Sequence, residues 1–332
     1  MYTLNKSTQA ELNRVQAIIK KELASEKIIQ EIYEYIFNAE GKKTRALISL
    51  LASQRSYSGS GAPMAMGLTE PRRIRLASII ELLHTATLVH DDVVDESELR
   101  RGNKSVNQVW TNSYSVLMGD FIYSKAFILM VQLDNSVILN ELAKATNDIA
   151  KGEIIQLELF KKKQLVQLND LLKVSYLKTG RLFEASAKTG AMLAKRSKKD
   201  IKTFGLLGKA LGIAFQIQDD ILDYEALKLD TGKPAMKDYK EGKITFPLFF
   251  ALQNAKPKDR KFIMENLGRT KISKKDQNKI YQLIHNNKTQ QNINALLEKY
   301  TKESQRHLNN LRHLPCYNEM LDLIMFSKIR KI

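Results

Sequence analysis

The chain has 332 residues, 43% of them hydrophobic, with a formal net charge of +17 and a single cysteine, Cys316. One cysteine excludes an intramolecular disulfide framework and fits a reducing compartment, while the length sets only a soft prior between one large domain and two. A basic excess of this size suits an anionic partner, whether nucleic acid, a membrane surface or a phosphorylated metabolite, without choosing among them.

The opening stretch, MYTLNKSTQAELNRV, has no apolar signal-peptide core, which leads to a cytoplasmic reading. From there apolar residues recur at spacings of three and four, as in Val15, Ile18, Ile19 and Leu23, and again in Ile79, Leu82, Leu83, Ala86 and Val89. Alternating strand patterns are scarce, and six prolines with fifteen glycines favour long helices, so the expected fold is all-α. Breaks are expected at Ser56 to Pro71, Lys161 to Gln164, Asp230 to Lys243 and Ala255 to Asp259. No linker divides the chain, which therefore reads as one domain, 1–332. The longest nearly apolar runs, such as Ile244 to Leu252, are too short to cross a bilayer. Lysine runs at 161–163, 198–199 and 274–275 read as solvated helix faces.

Two segments depart from this pattern. HDDVVDESELRRG carries Asp91, Asp92 and Asp95, and QIQDDILDY carries Asp219, Asp220 and Asp223. On a helix, Asp91 and Asp95 are offset by about 40° and Asp92 stands about 100° from Asp91, so two carboxylates share a face and repel. Such an arrangement calls for a cation. Hard oxygen donors without histidine or thiol partners favour magnesium, which is held by one or two carboxylates together with phosphate oxygens. Arg100 and Arg101 follow the first cluster and can grip phosphate in forked geometry. Two facing clusters would bracket a diphosphate.

These residues carry a family resemblance. HDDVVDESELRRG and FQIQDDILDY resemble the two aspartate-rich motifs of trans-isoprenyl diphosphate synthases, and the likeness extends through GKKTR (41–45), ELLH (81–84), GDFIYSKAF (119–127), GEIIQ (152–156), KTGRLFEA (178–185), EGKITFPL (241–248) and LPCYNEMLDLI (314–324). It is strongest to the long-chain bacterial members of the octaprenyl type. The resemblance implies a single large all-α bundle with a central active-site cavity, a homodimer, and addition of isopentenyl diphosphate to an allylic diphosphate, farnesyl diphosphate by preference. The implied product is near octaprenyl, for a respiratory quinone side chain. Membrane contact is expected to be at most peripheral, for product release, and because no aromatic residues interleave with a basic stripe no nucleic-acid partner is expected.

Carried over residue by residue, the resemblance implies that Lys42, Arg45, His84 and Arg101 bind the diphosphate of isopentenyl diphosphate and that Arg100 holds the allylic one. Asp91 and Asp95, with Asp92 beside them, would hold two Mg²⁺ ions, and Asp219, with Asp220 and Asp223, a third. Lys178, Lys233 and Lys243 would add positive charge, and Thr179 and Gln216 would stand near the carbon that becomes cationic. Small residues Ala86 and Thr87, one turn before Asp91, would leave a passage open for a long tail, with Leu83 next and Phe127 or Met130 as its floor. His90 reads as structural. Glu40, Ala46 and Met236 depart from the family pattern, in that order replacing a glycine, a proline and a glycine. A terpene cyclase would share one such acidic helix but lacks the second cluster and the basic site.

Overall fold

The computed structural model describes residues 5–38, 41–54, 70–100, 102–161, 166–225 and 236–329. Glu40, Arg101, Lys233 and most of the Ser56 to Pro71 and Lys161 to Gln164 breaks lie outside the described residues, as do residues 230–235 of the lysine-rich segment. In chain order the elements are α1 (Lys6–Leu23), α2 (Lys27–Asn38), α3 (Thr44–Ala52), α4 (Glu70–Val94), β1 (Leu99–Arg100), β2 (Asn103–Lys104), α5 (Val106–Val109), α6 (Asn112–Gln132), α7 (Ser136–Lys161), α8 (Leu168–Ser175), a π-helical turn (Tyr176–Gly180), α9 (Arg181–Leu193), α10 (Lys198–Glu225), α11 (Lys237–Lys240), α12 (Phe246–Asn254), α13 (Pro257–Asn266), α14 (Lys274–Ile284), α15 (Asn287–Asn309) and α16 (Tyr317–Ile329). The all-α expectation holds apart from one antiparallel hairpin, β1–β2, whose turn carries Gly102 at φ 85°. A left-handed residue there suits a tight hairpin turn.

The helices gather into two compact units, one of residues 1–146, 182–208 and 308–321, the other of 147–181, 209–307 and 322–332. In the first, α4 packs chiefly along α6 and then on α3 and α1. The apolar rows predicted from sequence supply that core: Val15, Ile19 and Leu23 of α1, and Ile79, Leu82, Leu83, Ala86 and Val89 of α4, are all buried. The two long helices run antiparallel. Arg72 and Arg75 of α4 bond the carbonyls of Leu133 and Gln132 at one end, and His90 bonds that of Val116 at the other. Cys316 is fully buried, and burial pushes its thiol up to about 11.

In the second unit the core collects around α12, where Pro247 starts a helix whose first seven residues are all buried. Met236 is fully buried there and sits at φ 56°, a left-handed conformation that glycine adopts at less cost. This gives a physical reason why glycine suits that position.

One expectation needs correction. α6 is 21 residues long, and its most apolar window has a mean hydropathy of 1.3, so by length and composition it could cross a membrane. A run count misses this because Asp120 and Lys125 interrupt the apolar letters. Of that window 39% is buried, as befits a helix with one face against a core.

Candidate active site

The first acidic cluster stands at the C-terminal end of α4. Glu96 adopts φ 47°, its amide bonds Val93 O at 3.2 Å, and Ser97 N reaches Asp92 O at 2.9 Å. This is a Schellman stop with Asp95 at the C-cap and Asp91 in the last turn. The helix macrodipole is negative at that end, so carboxylates placed there raise the energy unless a cation compensates them.

The three aspartates are not equivalent. Asp92 is buried and accepts from Arg100 Nε at 2.9 Å and Nη2 at 2.5 Å, whereas Asp91 and Asp95 are half-buried. Burial works against the Arg100 charge, but the bond and charge of Asp92, followed by Asp91 and Asp95, outweigh it and hold the guanidinium above its ordinary value. Asp92 therefore holds the guanidinium of Arg100, a hairpin residue, where the charges of the other two act on it.

Arg45 of α3 and His84 of α4 are brought together, with Nη1 to Nε2 at 2.8 Å. A guanidinium can only donate, so Nε2 accepts and the ring proton sits on Nδ1. The Arg45 guanidinium also lies 4.7 Å over the Phe183 ring. Lys42 is exposed on the segment before α3, and Lys43 turns that segment at φ 44°.

His90 takes a structural part. Its ring fills the space a side chain at Gly119 would need, since a Cβ there would lie 2.1 Å from Nε2. It stacks on Tyr123 at 5.9 Å, which stacks on Phe127 at 6.3 Å. Of the expected chain-length residues, Leu83, Ala86 and Met130 are buried, Thr87 is half-buried, and Phe127 is 41% exposed.

The second acidic cluster lies in the last two turns of α10, again at the negative end of a helix. Asp219 is half-buried. Asp220 is buried and accepts from Gln216 Nε2 at 2.8 Å and Phe246 N at 3.3 Å; burial, then the charge of Asp238, holds its carboxyl well above the usual carboxylate range. Asp223 caps α11, accepting from Lys237 N at 3.1 Å and Asp238 N at 3.2 Å, and burial followed by Asp238 pushes it up to about 7. Raised carboxylates of this kind gain most from a neighbouring cation.

The π-helical turn displays Lys178 and Thr179, an irregularity that recurs at functional sites. Thr179 Oγ1 donates to Gln216 Oε1 at 2.5 Å, so Thr179, Gln216 and Asp220 form one chain. Lys178 Nζ donates to Glu153 at 2.8 Å and Gln156 at 3.0 Å. Sequence reasoning assigned no role to either partner, although both belong to GEIIQ and stand three residues apart on α7. Gly152 lets the helices approach, because a Cβ there would come within 3.0 Å of Lys178 N. Lys243 pairs with Glu241 at 2.8 Å.

Among the described residues, no three His, Cys, Asp or Glu side chains are gathered into a ready coordination shell. The donors at both helix ends are nonetheless hard oxygens, which fit a magnesium ion that keeps waters and takes its remaining ligands from phosphate.

The sequence profile of the polyprenyl synthetase family matches residues 26–284. The chain is 38% identical over 261 residues to octaprenyl diphosphate synthase of Escherichia coli K12, covering 78% of this chain and 77% of that one. The decaprenyl diphosphate synthase from Rhodobacter capsulatus has a similar fold, with a TM-score of 0.86, 30% identity and 98% of each chain covered. A polyprenyl synthase from Caulobacter crescentus, complexed with calcium and isoprenyl diphosphate, gives 0.87 and 30%, covering 98% of this chain and 97% of that one.

Proposed function

The chain belongs to the polyprenyl synthetase family, and from that premise we propose that it is a long-chain trans-polyprenyl diphosphate synthase. It adds isopentenyl diphosphate head-to-tail to an allylic diphosphate, with farnesyl diphosphate as primer. The product is near octaprenyl length and serves as a respiratory quinone side chain. The observation that carries this reading is the pair Asp91 and Asp95 at the negative end of α4, with Arg100 held beside them by Asp92.

Magnesium is the proposed cofactor, three ions in all: Asp91 and Asp95 would hold two, Asp219, supported by Asp220 and Asp223, would hold the third, and the bound metal would supply Lewis-acid neutralisation of diphosphate charge. The relative in complex with calcium and isoprenyl diphosphate supports a divalent cation in this role. Arg100 grips the allylic diphosphate, and Lys178, Lys233 and Lys243 add fixed positive charge that stabilises it as it leaves. Lys42, Arg45, His84 and Arg101 hold isopentenyl diphosphate by its own diphosphate. The allylic carbon–oxygen bond breaks, the isopentenyl double bond supplies the electron pair of the new carbon–carbon bond, and a proton passes to the released diphosphate. Thr179 and Gln216, fixed by their bond to each other, stand in this reading near the carbon that becomes cationic. No side-chain nucleophile takes part.

The test is to incubate the protein with Mg²⁺, farnesyl diphosphate and labelled isopentenyl diphosphate and to size the products. The expected result is a series ending near octaprenyl; absence of elongation, or a cyclised hydrocarbon, removes the proposal.

We read the chain as one domain, 1–332, working in the cytoplasm without a nucleic-acid partner and touching membrane at most peripherally. A homodimer is supported by α6, where Val116, Leu117, Phe127, Ile128 and Val131 are each at least 41% exposed. At about 100° per residue these five fall within one face roughly 120° wide, which also carries exposed Asp120 and Ser124, and a largely apolar surface of that kind suits a second copy. Leu117, 65% exposed, is the sharpest probe. Light scattering is expected to give twice the chain mass for the wild type and a monomer for Leu117→Glu; a wild-type monomer would end the dimer reading.

A further inference from the structure

Beneath the β1–β2 hairpin lies a cavity of about 60 Å³, walled by Tyr35 and Phe37 of α2, Thr85 and Leu88 of α4, and Arg100 and Lys104 of the hairpin. It has room for several waters. Strands of two residues are marginal by themselves, and Leu99, Asn103 and Lys104 are exposed. A hairpin undercut in this way is placed by a few ties more than by packing.

Three ties stand out among the described residues. At the base, Ser105 Oγ donates to Ser97 O, and Ser105 N donates to Glu98 O at 2.9 Å. Toward α4, Arg100 is gripped by Asp92. On the outer side, Tyr35 Oη donates to the carbonyl of Lys104 at 2.7 Å, and the Tyr35 ring meets Trp110 edge-on at 5.3 Å. Lys104 pairs with Leu99 in the ladder, next to Arg100.

We infer that Tyr35 is a positioning residue for Arg100, tethering α2 to the hairpin so that the guanidinium already stands where an arriving diphosphate needs it. The base tie lies within the segment that follows α4, and the Asp92 grip comes from the end of α4 itself. The Tyr35 bond reaches it from α2, on another side from the Asp92 grip, and it therefore limits tilting of the hairpin about its base. The inference rests on the proposed role of Arg100 toward the allylic diphosphate.

Tyr35→Phe removes the hydrogen bond and keeps the ring on Trp110. Trp110 is the single tryptophan of the chain, so its emission reports on its contact with the ring at position 35, which bears on the hairpin. The full-length variant and wild type are compared in three measurements: steady-state turnover with Mg²⁺ and varied farnesyl diphosphate, Trp110 emission titrated with magnesium pyrophosphate, and Tm. The expected result is a KM for farnesyl diphosphate raised about three- to tenfold, the scale of one lost hydrogen bond, with kcat within about twofold. The pyrophosphate midpoint is expected to rise by a similar factor, with Tm nearly unchanged. An unchanged KM and midpoint overturns the inference, and so does a lowered Tm with neither moved, which marks a purely structural contact. If the wild type fails to elongate, the proposed function falls while the pyrophosphate titration still decides the tie: an unchanged midpoint in the variant, or no wild-type response, overturns it.

Discussion

Asp91→Asn is expected to lower turnover by about 10²- to 10³-fold, the scale on which enzymes lose rate when one preorganised electrostatic contact to the transition state is removed. The reason lies in where Asp91 stands. It occupies the last turn of α4, close to Asp95 at the C-cap, and both face the negative end of the helix dipole. With a cation bound, that unfavourable field becomes an attractive one, so an uncharged amide at position 91 forfeits both the ligand and part of the field that retains the ion. The variant keeps the shape of the side chain, and the Schellman bonds use only backbone atoms, so the fold is expected to persist. Turnover measured across a magnesium series is the check: the residual activity should also require more metal. Activity near the wild-type level at ordinary magnesium would take Asp91 out of the proposed metal site.

Ala86→Phe is expected to shorten the product by several isoprene units while condensation continues. Ala86 lies five residues before Asp91, about 7.5 Å down the helix at 1.5 Å per residue. It stands on the antiparallel α4–α6 pair, between the end where His90 packs on Gly119 and the end where Arg75 meets Gln132. Leu83 is buried one turn further along α4, and Met130 is buried toward the same end of α6. If the growing tail follows these helices from the acidic end, a benzyl group at position 86 blocks it early. The rival account is that Ala86 is small only because α4 and a neighbour pack closely. Overpacking a filled core costs about 1–3 kcal/mol, which for a chain of this length lowers Tm by about 1–2 °C per kcal/mol. Chromatography of the products together with a melting curve separates the two: a shorter product with a small Tm loss supports the passage. An unchanged chain length, at whatever Tm, removes Ala86 from it.

Much of the helical architecture was legible in the residue order because burial on a helix imposes a period. The rows from Val15 to Leu23 and from Ile79 to Val89 are expected to be buried along one stripe, and they are, with Ile18 half-buried at the edge of the first. The acidic clusters were legible as well, because like charges at i and i+4 are unfavourable without a cation. What letters alone could not supply was the division of labour within each cluster. Asp91 and Asp92 are adjacent and chemically identical, yet one is half-buried and the other is turned inward onto Arg100, since successive residues on a helix point about 100° apart into different surroundings.

The same limit explains the partners that went unassigned. Glu153 and Gln156 meet Lys178 from 25 and 22 residues away because a π-turn and the missing side chain of Gly152 let two helices approach. Tyr35 meets the Lys104 carbonyl across 69 residues. Local sequence therefore determined the helical class and the buried stripes, both of which depend on neighbours within one or two turns. Tertiary structure alone decided which carboxylate holds an arginine, which caps a helix and which stays half-open, because each outcome depends on contacts between segments that no periodicity connects.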